Sequence, residues 1–422
     1  MKPTSCHPAL AAPLDAGFQP AVLQRRAYLE KVRRTGRAVP LVLGLEREDG
    51  LVSRFETLVD PAADAVTLRH VERIVKFLVW SRGGWKLHVG GPAAIAGFIG
   101  KTYAARGARR FDCKMMALAY GRKFKVSAVI DGEAVFTEET PWDPRNQSNP
   151  AYHYHHVSAA LHRAAAHMPR VDAIGGSSAG IIVDNEIRVA SLLRSIPAKH
   201  FPAAAGVFKR IAREWNVPLV VMNDGDVTAL AGALSLGEKG MLGVAMGSSE
   251  AAGFMDKRGR ILGWLNELAF APVDYNPAAL ADEWSGDNGV GALYFSQQAV
   301  NKLLPAAKIK LPKALGLPER LVEVQKLMAA GDERAAKIYQ TIGVYLGYTI
   351  PHYADFYDFG HMLVLGRVTT GRGGDIVLGT AREVLGREFP EIARRISMHV
   401  PDEKSRRVGQ AVAAASLPKL KK

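Results

Sequence analysis

Cysteine is almost missing from this chain: its 422 residues include only Cys6 and Cys113. Two cysteines make neither a disulfide framework nor a zinc cluster, and a reducing cytoplasm is the expected setting. No apolar run approaches the roughly 18–20 residues that span a bilayer, so no membrane contact is expected. The opening MKPTSCHPALAAPLDAGF lacks the charged-then-apolar order of a secretory signal. A complete helix-turn-helix, zinc-finger or RNA-binding signature is absent too, which leaves no ground for a nucleic-acid partner. What is present is ordinary globular composition, 48% hydrophobic and 23% charged, with enough length for two or three domains. The formal net charge of +14 suits nucleic acid or an anionic substrate. Its basic clusters at 24–37, 106–125 and 419–422 read as solvated surface.

Organisation follows from the hydrophobic pattern. Residues 1–37 read as a Pro/Ala-rich arm and one basic helix. VPLVLGLERE and LVSRFETLV flank an Asp49-Gly50 turn, a hairpin signal, and open a β-β-α-β-α unit within 38–110. A second hairpin turns at Asp131-Gly132. Strands and helices then alternate through 111–230, which argues for a mixed α/β sheet. The portion 231–415 is more helical, with long amphipathic stretches at 282–304 and 321–358. It ends on the strand HMLVLGRV, the Gly-rich loop TTGRGGD and a helix from Ile376. Residues 416–422 form a tail.

The stretch 218–261 carries the most chemistry. The apolar run Leu219–Met222 stops on Asn223-Asp224, an Ala-rich helical segment follows, and a second apolar run, Met241–Met246, stops on Gly247-Ser248-Ser249. A strand ending on a carboxylate can present a base to a hydroxyl. A strand ending on a small-residue loop can offer backbone N–H groups to an anion. The Asn-Asp pair can equally do no more than cap the next helix.

In order and spacing these segments resemble the ROK family (repressors, open reading frames and sugar kinases), over about residues 113–415. The family's N-D-x-N-x-A-A-L segment is matched by Asn223, Asp224 and Thr228-Ala229-Leu230, and its G-T-G-x-G loop by GSSEAAG at 247–253. The family's G-x-G-x-P-G-x-V-D strand and loop are matched by the segment from Val171, with Ser177-Ser178-Ala179-Gly180 for the Pro-Gly and Asn185 a little further on. Its G-E-x-G-H segment is matched by GWLNELAF, with Glu267 as the glutamate and Phe270 in place of the histidine. The resemblance implies two RNase H-like lobes of the actin/hexokinase type around a cleft, with an extra N-terminal α/β segment. It implies ATP-dependent phosphorylation of a hexose or amino sugar. Asp224 would be the general base, and Asn223, Glu267, Ser178 and Asn185 would bind the sugar. Gly247, Ser248 and Ser249 would cradle phosphate, with Arg122 and Lys123 in reach of it. Gly366, Gly371, Gly373 and Gly374 would lie against adenosine, and Mg²⁺ would accompany ATP. A homodimer through the helices after 290 is the expected assembly.

Several departures bear on catalysis. Leu118 stands where the family's first phosphate loop has a metal-organising Asp, and leucine cannot ligate Mg²⁺. Glu250 adds a carboxylate beside the second loop. The segment matching the family's zinc loop has no cysteine, so no structural zinc is expected. These changes leave a second possibility, a sugar-binding or regulatory protein on the same scaffold. His153, His155 and His156 are poorly spaced for one helical metal face and are expected near a cleft instead. Asp282, Glu283, Asp287 and Asn288 are expected to be solvated, and Tyr353, Tyr357 and His361 to pack near a hinge.

Overall fold

The computed structural model describes residues 6–47, 50–84, 86–105, 123–400 and 413–418. The chain begins with α1 (Ala21–Arg34). The expected hairpin follows as β1 (Val39–Glu46) and β2 (Val52–Val59), in register from Val39 opposite Val59 to Glu46 opposite Val52. Asp64 starts α2 (Ala65–Arg82) by accepting the N–H of Thr67 at 2.7 Å, an N-cap. β3 (Lys86–Gly90) then joins the other edge of β1, and α3 (Ala93–Ala105) closes this unit. α2 is buried nearly all round, including Arg73, Lys76 and Arg82. Such a helix lies between two bodies: its own sheet and the C-terminal lobe.

The first lobe holds β4 (Lys123–Ile130), β5 (Glu133–Pro141), α4 (Pro150–Ala165), β6 (Ile174–Ser178), β7 (Ile181–Val183), β8 (Glu186–Val189), α5 (Phe201–Ala205), α6 (Val207–Trp215) and β9 (Leu219–Asn223). β4 pairs with β5, and β6 runs parallel to β9 with Ser178 opposite Asn223. The core of this lobe gathers Val157, Ile174, Ile211 and Val221.

After β9 come α7 (Asp224–Leu236), β10 (Met241–Met246), β11 (Glu250–Met255), α8 (Gln297–Leu303), α9 (Leu317–Ala329), α10 (Glu333–Ala354), β12 (His361–Leu365), α11 (Gly371–Glu388), α12 (Pro390–Arg395) and β13 (Ser397–His399). The sheet order is β11-β10-β12-β13. α10 and α11 pack closely because Gly343 and Gly347 have no side chain. A Cβ there would lie 2.6 Å from the Thr380 Cβ and 2.5 Å from the Val384 Cβ. The N-terminal unit shares one core with this lobe, in which Leu43, Phe77, Phe270 and Tyr348 are joined. The architecture is therefore two α/β lobes around a cleft plus an N-terminal α/β unit.

Four sequence expectations are corrected. The helix expected from 282 begins only at Gln297, because Gly286 and Gly289 turn at φ 68° and Asp282 accepts the N–H groups of Trp284 and Ser285. Asp282 and Asp287, expected in solvent, are buried. The Gly-rich stretch from Gly371 is the first turn of α11 rather than a loop. The basic helix α1 is not all solvated surface: Arg25 is buried and paired with Asp355.

Candidate functional site

The site is built at the joint between β9 and α7. The Asn223 side chain accepts the Gly225 N–H at 2.7 Å and donates to the Gly180 carbonyl at 2.8 Å. It thus caps α7 and ties down the loop after β6. Asp224 is the first residue of α7. The turn beneath it depends on two glycines in backbone contact. A Cβ on Gly225 would lie 2.1 Å from the Ala252 carbonyl oxygen, and one on Gly253 would lie 2.1 Å from that of Gly225. This contact seats the start of α7 on β11, just past the loop between β10 and β11.

Asp224 opens into a cavity of about 590 Å³ between the lobes. Ser177, Ser178, Asn223, Gly247, Ser248, Ser249, Glu250, Asn266, Glu267 and Phe270 also line it. Five residues expected to bind sugar or phosphate by resemblance, together with Asp224 and Glu267, therefore share one space. Its other wall is apolar, with Trp142, Val157, Leu193 and Phe208, and includes buried His153. Burial and the neighbouring His156 push the His153 pKa down to about 4, so the ring is neutral.

Four carboxyls cluster here. Burial raises the Asp224 pKa, opposed by the Gly225 N–H at 3.1 Å. Asp226 is raised to about 7 by burial, against donation from Asn266 at 2.9 Å. Glu267 is raised to about 8 by burial and then by the charges of Asp224 and Asp226. Glu250 is raised to about 8 by burial, although the Tyr353 hydroxyl donates to it at 3.2 Å. Burial thus favours the protonated, neutral form of Glu250 over the negative charge expected there. Its Oε2 is buried without a hydrogen-bond partner. Coupled groups of this kind titrate as a set.

The proposed phosphate loop is held from behind. The Gly247 N–H donates to the Ser249 carbonyl at 3.0 Å, and the Gly247 carbonyl accepts the Gln297 N–H at 2.8 Å at the start of α8. Gly366 lies beside this loop, where a Cβ would sit 2.4 Å from the Met246 carbonyl oxygen. Gly371, Gly373 and Gly374 do not line the cavity, and neither does Gly366. Gly373 packs on the Tyr339 ring of α10 and Gly374 on the Thr369 carbonyl of the turn just before α11, so each glycine has a packing reason of its own. Asn185 also lies off the cavity. Its amide donates to the Leu219 carbonyl at 2.8 Å and accepts the Val221 N–H at 2.7 Å, which spends both ends on the edge of β9. Lys123 begins β4. Cys113, Leu118 and Arg122 lie outside the described residues.

Asn266 and Asp226 escaped sequence reasoning, and Tyr353 was read there only as a packing residue. The signals were adjacency to Glu267 and the Asp-Gly-Asp order after Asn223; Tyr353 gave none, because its partner Glu250 lies 103 positions away. Among the described residues, no group of three or more His, Cys, Asp and Glu is arranged to hold a metal ion.

No protein-family model and no curated protein matches the sequence. Solved structures do. A ROK hexokinase from Thermus thermophilus superposes with a TM-score of 0.54 at 19% identity, covering 70% of this chain and 94% of that one. A ROK family glucokinase from Streptomyces griseus, solved with glucose and AMPPNP, gives 0.52 at 18%, covering 71% and 96%. A ROK family transcriptional regulator gives 0.53 at 16%, covering 77% and 88%. The fold is therefore that of the ROK sugar kinases, two actin/hexokinase-type lobes, and a kinase and a regulator share it. Fold alone does not establish an activity.

Proposed function

We propose that the chain is a sugar kinase-like protein. It binds a hexose or amino sugar in the interlobe cavity and transfers the γ-phosphoryl group of ATP to one hydroxyl. The observation that carries this reading is the position of Asp224, open to the same cavity as Glu267, Asn223, Ser178 and the Gly247–Ser249 loop. Asp224 takes the hydroxyl proton as the oxygen attacks the γ-phosphorus and the bond to ADP breaks. Its raised pKa makes it a better proton acceptor than an exposed aspartate. Glu267 and the remaining amide hydrogen of Asn223 orient the sugar. Backbone N–H groups of the loop face the phosphates, and lobe closure excludes water, the competing acceptor. Mg²⁺ would neutralise phosphate charge when it arrives with ATP. Because the described carboxyls are not arranged as a metal site, no step is assigned to it. A cytoplasmic setting, where ATP is plentiful, goes with this reading.

A second reading, sugar binding without transfer, is favoured by the packing of Gly373 and Gly374 and by Leu118. One experiment separates the two. Mg-ATP with a panel of hexoses and N-acetylhexosamines is assayed for ADP release and thermal shift. Sugar-dependent ADP release that disappears in Asp224→Asn supports the kinase. Stabilisation by a sugar without ADP release supports the binding protein.

A further inference from the structure

We propose that the N-terminal unit is a working part of the sugar site: the last turn of α2 positions the Glu267 segment, with Arg82 as its positioning residue. This rests on the reading of the cavity as a sugar site.

A helix leaves its last four carbonyls without intrahelical partners, and in α2 all four are satisfied. The Val79 carbonyl accepts the Gly83 N–H at 2.9 Å. The other three are taken by the site segment, which runs antiparallel beside the helix end. Glu267 N–H donates to Trp80 at 3.0 Å, Asn266 N–H to Ser81 at 3.0 Å and Leu265 N–H to Arg82 at 3.3 Å. The backbone of the candidate sugar-binding glutamate is therefore hung directly on the N-terminal unit.

The Arg82 side chain locks the same place from the other side. It is buried, lies 3.5 Å from the Trp264 ring centroid and 4.4 Å from that of Tyr357, and donates to the Phe356 carbonyl. The Tyr357 hydroxyl donates to Asn266 Oδ1 at 3.0 Å, and Asn266 Nδ2 donates to Asp226 Oδ1 at 2.9 Å. Asn266 holds a left-handed backbone at φ 53°, a conformation that costs energy without outside support. A continuous path thus runs from Arg82 through Tyr357 and Asn266 to Asp226, two residues beyond Asp224. A planar guanidinium lying over two rings is not replaced by an ammonium, so Arg82→Lys is a sensitive probe that keeps the charge.

The test compares the full chain with Arg82→Lys and Arg82→Gln, both checked for folding by circular dichroism. Hydrogen exchange is followed in peptides covering 264–270. Exchange there should rise at least tenfold in Arg82→Lys, with peptides of the first-lobe core unchanged. Steady-state kinetics with the best sugar of the panel should show its KM rising about tenfold and the KM for ATP holding. Unchanged exchange at 264–270 in folded variants overturns the proposal. So does a raised exchange with the sugar KM, or its Kd where there is no turnover, within twofold of the parent, because the contact is then only structural. If no sugar of the panel binds the parent chain, both the sugar-site reading and this role fall. A parent that binds sugar with variants that bind it equally overturns the positioning role alone.

Discussion

Lys76 and Asp287 meet at 2.7 Å inside the protein, the first from α2 of the N-terminal unit and the second from the loop before α8. Both are buried, and Glu72 also reaches the ammonium at 2.9 Å. Nearby, Arg73 donates to the Asn288 carbonyl at 2.8 Å. Where the ROK resemblance implied a zinc loop, this chain pins the loop with a buried ion pair and turn-forming Asp282. Breaking such a pair strands one charge, which costs about 3–5 kcal/mol, whereas replacing both partners with apolar groups is often neutral. Lys76→Met should therefore lower unfolding stability in urea by about that much. Lys76→Met with Asp287→Leu should recover most of it. Equal losses in the single and double variants would show that the pair contributes only packing.

Asp224→Asn should leave the fold intact, because the side chain's hydrogen bonds are local, to the N–H groups of Gly225 and of Asp224 itself. It removes the proton acceptor, an effect of about 10²–10⁴ in rate. The expected result is a kcat lower by that factor with the sugar KM changed less than about fivefold, read from steady-state ADP release. A large rise in KM with kcat preserved would make Asp224 a binding group instead.

Much of this arrangement was legible in the sequence, and the reason is local. The Asp-Gly signal at 49–50 between apolar runs pointed to the β1–β2 pairing, and the stop of an apolar strand on Asn223-Asp224 gave the site's joint. Short-range patterns of this sort survive folding. What was not legible depends on distant partners. Nothing near Arg82 in sequence announces that it lies over Trp264 and Tyr357. Nothing near Glu250 announces that burial raises its pKa. Asn185 looked like a ligand group, but its polar ends match the edge of β9, a strand more than thirty positions later. The Gly371–Gly374 stretch resembled a nucleotide loop, while at Gly373 a demand for glycine comes from the face of Tyr339.

That last point can be measured. A Cβ on Gly373 would lie 2.5 Å from the Tyr339 ring, both fully inside the core. Overpacking of this kind typically costs about 1–3 kcal/mol. Gly373→Ala should destabilise the chain by that amount, whereas Gly379→Ala, in open space on the same helix, should stabilise slightly through helix propensity. The KM for ATP should be unchanged in a folded Gly373→Ala protein. A rise of tenfold or more without loss of stability would return Gly373 to the nucleotide site.

The buried carboxyls set the pH dependence of stability. Asp226, Glu250 and Glu267 have folded pKa values raised by burial to about 7, 8 and 8. The native state therefore holds protons that the unfolded chain has released, and stability falls as pH rises from the ordinary carboxylate range to about 8. Buried His70, His153 and His352 act in the opposite sense, with values lowered by burial to about 3, 4 and 3. They stay neutral while their unfolded forms take up protons, so their contribution grows as pH rises to about 6.5. The two sets oppose each other below pH 6.5, and only the carboxyls act above it. Thermal unfolding should show the midpoint falling between about pH 6.5 and 8 and levelling beyond, each group contributing at most about 2 kcal/mol over that window. Glu250→Gln keeps the shape and the hydrogen bond to Tyr353 but cannot ionise. It should shrink the fall and raise the midpoint at pH 8.5 relative to the parent. A parent whose midpoint is flat from pH 6.5 to 8.5 would mean that water or a bound cation already compensates these charges.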